Sequence, residues 1–193
     1  MKTKSVEKNN LEIRCFVALD LSREAIHYIE ELQEMLKKKN LFLGKFVEPE
    51  NLHLTLKFLG EISIEKAKEV VEVLNKVELK SFEVKVGEVG VFSEKFIKLI
   101  WVKLNGKGIF ELQKRIDEVL MSCGFELENR FMSHITIARV KKILGKQNLL
   151  HYIKNIKTKK IKFKVDRFYL KKSELKPEGP EYEEIEEYNL IKR

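Results

Sequence analysis

Two stretches of this chain state one pattern. "NLHLTLKFLG" at residues 51–60 and "SHITIARV" at 133–140 each set a histidine and a threonine two apart between aliphatic residues, His53 with Thr55 and His134 with Thr136. The chain holds only four histidines and four threonines, so half of each sits in this pattern. By template counting, about 0.08 His-x-Thr pairs are expected, and two arise in roughly three of a thousand shuffles. A strand has period two, so His53 and Thr55 share one face while Leu54 and Leu56 take the other. The same holds for His134 and Thr136 against Ile135 and Ile137. The chain must therefore build two similar halves, each packing aliphatics under helices and turning an imidazole and a hydroxyl the other way. Related by an approximate twofold, the two polar faces meet across a cleft.

The rest of the sequence supplies the frame. Residues 12–19, "EIRCFVAL", alternate as a strand, and Ser22 is a good N-cap for a helix with Ala25, Ile26, Ile29, Leu32, Met35 and Leu36 on one stripe. Pro49 in "GKFVEPEN" argues for a turn before the first motif strand. A second helix is expected from about Ser63 to Val77. "FEVKVGEVGVF" reads as a strand whose parity changes between Val86 and Val89, which a bulge near Gly87 explains. "IKLIWVKL" at 97–104 reads as a central strand, and a third helix over about Gly108 to Cys123 ends at Gly124. "NLLHYIKNI" is helical, "KKIKFKVDRFYLKK" reads as one strand, and a last strand lies near Glu184 to Leu190. Hairpin-like neighbours between helices predict an α+β fold with antiparallel or mixed sheets. Neither Rossmann glycines nor a Walker loop occurs.

At 193 residues the chain suits a single domain of two lobes over 11–193, preceded by a polar, flexible arm at 1–10 without the apolar run of a secretion signal. From that arm we expect a cytoplasmic protein, and we expect a monomer; no apolar stretch reaches the roughly 20 residues of a membrane span. Cys15 and Cys123 form no CxxC pair and read as reduced core thiols. Net charge is +8, but from Arg139 to Lys176 there are 14 Lys or Arg against only Asp166 and Glu174, followed by six glutamates between Glu178 and Glu187. Such a basic stretch is compatible with a polyanionic partner such as RNA, and equally with a solvated lysine-rich face.

Lone histidines are mostly structural, and His27 and His151 fall in that class. The doubled pair is different, because a reaction that removes one proton and donates another needs two groups titrating near neutrality. The threonine hydroxyls can hold nonbridging phosphate oxygens and stabilise the extra charge of a five-coordinate transition state. Zinc fits poorly: two histidines with no neighbouring Cys, HxH or HExxH fall short of a ligand set, and we expect no metal and no cofactor. Lys57 shares strand parity with His53 and Thr55, which nominates it for phosphate contact. Phe16 opposes the apolar face of the first strand and is a candidate for stacking on a base, with a core role as the favoured alternative.

With these residues in place, "RCFVALDL", "PENLHLTLKFLGE", "SHITIARV" and "LKKSELKPEGPEYEEI" together resemble the two-histidine (2H) phosphoesterases, in the branch of RNA 2′,3′-cyclic phosphodiesterase or 2′-5′ RNA ligase. The likeness runs in order from about Arg14 to Leu190. It implies a bilobal α+β domain, two sheets with outer helices around a pseudo-twofold cleft. It further implies metal-independent opening of a terminal 2′,3′-cyclic phosphate on RNA, tRNA fragments among the candidate substrates, to leave a 2′-phosphate. Ligation to 2′-5′ RNA would be the reverse direction. In that family one motif histidine protonates the leaving 3′-oxygen and the other activates water. We expect His53 as acid and His134 as base, although the sequence itself does not fix the order. Arg139 matches a family arginine that contacts phosphate. A regular strand would aim it away from the cleft, so we expect the strand to end or bulge near Ala138. The family often has proline before the second histidine; here Ser133 implies a less constrained approach to that strand. The competing readings are a 2′-5′ oligonucleotide or other nucleotide phosphodiesterase, and a noncatalytic RNA or nucleotide binder.

Overall fold

Alternation and capping signals become nine strands and four α-helices in the computed structural model, which describes residues 12–177 and 179–192. The expected arm at 1–10 lies outside the described residues. Strand β1 (Glu12–Asp20) leads into α1 (Arg23–Lys39), where Ser22 caps the first turn by accepting from the Ala25 N–H at 3.2 Å. After β2 (Phe42–Phe46) comes the first motif strand, β3 (His53–Ser63), and then α2 (Ile64–Leu74), capped by Ser63. Strands β4 (Phe82–Val91) and β5 (Leu99–Asn105) precede α3 (Lys107–Leu120) and the second motif strand, β6 (His134–Ile143). The remainder is α4 (Lys146–Asn155), β7 (Lys162–Val165), β8 (Arg167–Lys176) and β9 (Gly179–Asn189). No helix among the described residues is long and apolar enough to cross a membrane.

The strands run β7-β4-β5-β6-β3-β1-β8-β9, with β2 also on β6, and every pairing between named strands is antiparallel. Two four-stranded lobes lie within this order, and the motif strands join them through one residue pair, Leu54 opposite Ile135. These are the same position of the two motifs, so the pseudo-twofold passes between them. One residue to either side along an antiparallel register, His53 stands toward Thr136 and Thr55 toward His134. Behind the motif strands, Leu54, Leu56, Ile135 and Ile137 are buried among the helices, each side chain contributing about 1.5–3 kcal/mol through lost apolar surface.

Several expectations change. "KKIKFKVDRFYLKK" is two strands in opposite lobes: β7 pairs with β4, and after Asp166 β8 pairs with β1. The apolar phase, odd through Ile161, Phe163 and Val165 and even from Phe168 to Leu170, carries that break. Strand β2 is an addition to the expected elements; Gly44 permits it, because a Cβ there would lie 2.1 Å from the Arg139 carbonyl oxygen. The last strand begins at Gly179 and not near Glu184, because its glutamates pair with the basic stretch across the β8–β9 hairpin. Lys172 meets Glu183 at 3.3 Å, Arg167 meets Glu187 at 3.0 Å, and Lys176 meets Glu181. Part of the basic half is thus neutralised by the acidic tail. Exposed pairs of this kind contribute about 0–1 kcal/mol each, so they select the hairpin partner more than they stabilise the fold. Ser133 is not loosely held: it is buried, its hydroxyl donates to the Leu104 carbonyl at 2.5 Å, and its carbonyl accepts from the Leu104 N–H. Cys15 and Cys123 are free and buried.

Candidate active site

Both motif strands carry a bulge at the same step. Along β3, Thr55 faces Ala18 and Lys57 faces Val17, so Leu56 is an extra residue against β1. Along β6, Thr136 faces Trp101 and Ala138 faces Ile100, so Ile137 is extra against β5. One added residue reverses strand parity. His and Thr keep the cleft face in each half, and the residue five beyond the histidine joins them, Phe58 in β3 and Arg139 in β6. Lys57 goes the other way and is a correction to the sequence reading. It is 8 % exposed and pairs with Asp117 of α3 at 2.8 Å on the helix side of the sheet, so it does not reach the cleft.

The histidines are held alike. His53 Nδ1 lies 2.8 Å from the Asn51 carbonyl and His134 Nδ1 lies 2.7 Å from the Met132 carbonyl, each two residues upstream. A carbonyl oxygen only accepts, so Nδ1 carries the hydrogen in both rings and Nε2 is left for chemistry. The Thr55 hydroxyl lies 3.0 Å from His53 Nε2 and donates to the neutral ring. Burial pushes His53 down to about 4. The Lys171 and Arg139 charges act in the same direction, against the Asn51 carbonyl and the Asp20 carboxylate. Lys171 and Asp20 are themselves paired at 2.6 Å.

These groups line a cleft of about 430 Å³ that also includes Arg14, Ser173 and Tyr182. Phe16 is its floor. At 3 % exposure, with ring centroids 4.9 Å from His53 and 5.0 Å from Tyr182, it offers no free face, in keeping with the favoured core role and against base stacking. The available face is that of Phe58, 68 % exposed on the rim with its centroid 6.3 Å from Phe16. Each histidine also meets an aromatic edge, Tyr182 beside His53 at 5.0 Å and Phe92 beside His134 at 4.8 Å. Locating the bulges would have found Phe58; Tyr182 and Phe92 carry no sequence signal, since only tertiary packing brings them here. His27 and His151 sit on helix surfaces outside the cleft. Among the described residues no three His, Cys, Asp or Glu side chains gather as a metal site.

A sequence model of the family described as LigT-like phosphoesterase matches residues 19–101 and again 102–182, one copy around each motif. The chain belongs to the LigT-like phosphoesterases. The two copies begin at equivalent points, since Leu19 faces Leu54 and Val102 faces Ile135. The phosphoesterase is 36 % identical over 178 residues to the RNA 2′,3′-cyclic phosphodiesterase of Methanocaldococcus jannaschii, covering 91 % of this chain and 100 % of that one. To the RNA 2′,3′-cyclic phosphodiesterase of Thermotoga maritima it is 35 % identical over 179 residues, covering 91 % and 94 %. Among solved structures, TT0787 of Thermus thermophilus aligns with a TM-score of 0.77 at 25 % identity over 92 % of this chain and 97 % of that one. E. coli LigT complexed with 3′-AMP shares the fold, with a TM-score of 0.73 at 23 % identity over 94 % and 99 %.

Proposed function

We propose that this phosphoesterase opens terminal 2′,3′-cyclic phosphates on RNA to leave 2′-phosphates; its relatives in M. jannaschii and T. maritima are named RNA 2′,3′-cyclic phosphodiesterases. The observation that carries the proposal is the meeting of two Nδ1-anchored histidines, two threonines and Arg139 in one cleft. His134 Nε2 takes a proton from water as the water oxygen bonds to phosphorus. The bond to the 3′-oxygen breaks in line, its electron pair stays on that oxygen, and His53 Nε2 delivers the proton that makes the 3′-hydroxyl. Thr55, Thr136 and Arg139 donate to the nonbridging oxygens as negative charge builds. No metal enters this scheme, and 2′-5′ ligation follows the same path with an RNA 5′-hydroxyl in place of water as the nucleophile that His134 deprotonates.

Before substrate binds, burial keeps His53 neutral, which is the wrong form for an acid. The anionic phosphate supplies the missing counter-charge at Nε2 and raises the ring's pKa, so the acid is armed by its substrate. Phe58, exposed on the rim, gives the terminal base a platform.

Chromatography of the products from a short RNA ending in a 2′,3′-cyclic phosphate tests the proposal. We expect the 2′-phosphate, at rates above those for 2′-5′ oligoadenylate. Release of the 3′-phosphate, or preference for oligoadenylate, would overturn the assignment, and binding without turnover would make the protein a noncatalytic binder.

A further inference from the structure

The bulges that admit Arg139 and Phe58 to the cleft interrupt the ladder, and the backbone groups they displace need buried partners. On α1, Gln33 is 4 % exposed and donates from Nε2 to the Ile137 carbonyl at 2.9 Å and to the Val47 carbonyl at 2.8 Å. Ile137 is the extra residue of β6, and its carbonyl also accepts from the Val47 N–H at 3.0 Å. Val47 opens the segment that leads to Asn51, whose carbonyl holds His53.

On α3, Asp117 is 5 % exposed and does the corresponding work in the other half. Its Oδ1 meets Lys57 Nζ at 2.8 Å, and its Oδ2 accepts from the Glu128 N–H at 2.8 Å and from Gln113 Nε2 at 2.7 Å. Lys57 follows Leu56, the extra residue of β3, and also donates to the Glu126 carbonyl. Glu126 and Glu128 belong to the segment that leads to Met132, whose carbonyl holds His134. Each clamp therefore ties a helix and a histidine-bearing approach of one half to the motif-strand bulge of the other.

We infer that Gln33 and the Lys57–Asp117 pair are crossed positioning residues, each fixing the bulge that aims Arg139 or Phe58 while anchoring the segment that leads to the carbonyl orienting a histidine. Apolar side chains of similar volume would deprive the Val47 carbonyl and the Glu128 N–H of these partners, so both clamps stabilise the fold as well, and the test must read positioning apart from stability. The inference rests on the reading of the cleft as a phosphate site.

Calorimetric titration with inorganic phosphate tests it on the unaltered protein, Arg139→Ala, Gln33→Met and the double variant. Gln33→Met is expected to weaken phosphate binding about tenfold with a cooperative melt retained, since misaligning a charge-assisted donor forfeits most of its contribution. In the Arg139→Ala background the further loss should stay under about twofold, because the effect passes through the arginine. Unchanged affinity in Gln33→Met, or the same loss in both backgrounds, would overturn the inference. Should the unaltered protein bind no phosphate, or Gln33→Met not fold, hydrogen exchange decides. Lys57→Met/Asp117→Leu should then speed exchange in residues 125–133 and leave 47–52 as they are. Equal speeding of both segments, or none, sinks the clamps; failure of phosphate binding alone sinks only the phosphate-site reading.

Discussion

The two halves of the molecule share His, aliphatic, Thr, aliphatic, a bulge and an inward fifth residue, and then diverge: β3 offers Phe58 to the cleft where β6 offers Arg139. The divergence continues one strand away. Asp20 faces His53 in the ladder where Lys103 faces His134, and Ala18 faces Thr55 where Trp101 faces Thr136. On the proposed reading, a duplicated frame delivers equal chemistry to both sides of one phosphorus, while the unequal residues give the cleft direction. In that proposal the Phe58 wall takes the base and the Arg139 wall the anion.

That comparison can be broken most sharply at the shared residues. If both halves take part in proton transfer, His53→Ala and His134→Ala should each lower turnover by about 10²- to 10⁴-fold. A variant that kept near-full activity would confine the chemistry to one half. The unequal residues come next. Arg139→Ala should weaken inorganic phosphate and a 2′-nucleotide alike, by roughly 10- to 100-fold for loss of a charged hydrogen bond worth about 1.5–3 kcal/mol. Phe58→Ala should weaken the nucleotide by a similar factor, from stacking worth about 1–3 kcal/mol, and leave inorganic phosphate alone. Calorimetry with both ligands checks the crossing.

An effect on stability, of similar size at most, distinguishes His53 through pH. Its folded value of about 4 lies below the ordinary 6.5, so between these limits the unfolded chain binds the extra proton. Stability present above about pH 6.5 is therefore lost as pH falls toward 4, by up to about 3 kcal/mol, and urea melts of His53→Gln should show this slope reduced. The same ring, followed by NMR, should titrate at higher pH once a 2′-nucleotide is bound. Smallest of all, EDTA should leave turnover unchanged.

Much of this arrangement was legible in the sequence because strand parity is a strict rule. Period two put His53, Thr55, His134 and Thr136 on the polar faces and their aliphatic neighbours in the core. The same rule failed for Lys57, since a bulge at Leu56 adds one residue without any glycine or proline to mark it. For Arg139 the parity conflict itself exposed the bulge, because the resemblance demanded a cleft position that a regular strand denied. The helix caps at Ser22 and Ser63 were readable from local hydrogen bonding. Strand β9 was half hidden, because its residues answer lysines on β8 and not a hydrophobic face. The clamps at Gln33 and Asp117 were invisible for a related reason: their partners are 104 residues away for Ile137 and 11 for Glu128, joined only by the fold.

The central claim is that both halves grip one phosphorus, and a crystal soaked with a 2′-nucleotide addresses it most directly. The phosphate should sit within hydrogen-bonding reach of Nε2 of both motif histidines and of Arg139, with its base against Phe58. A phosphate bound to one motif alone, or seated outside the space between them, would contradict the account.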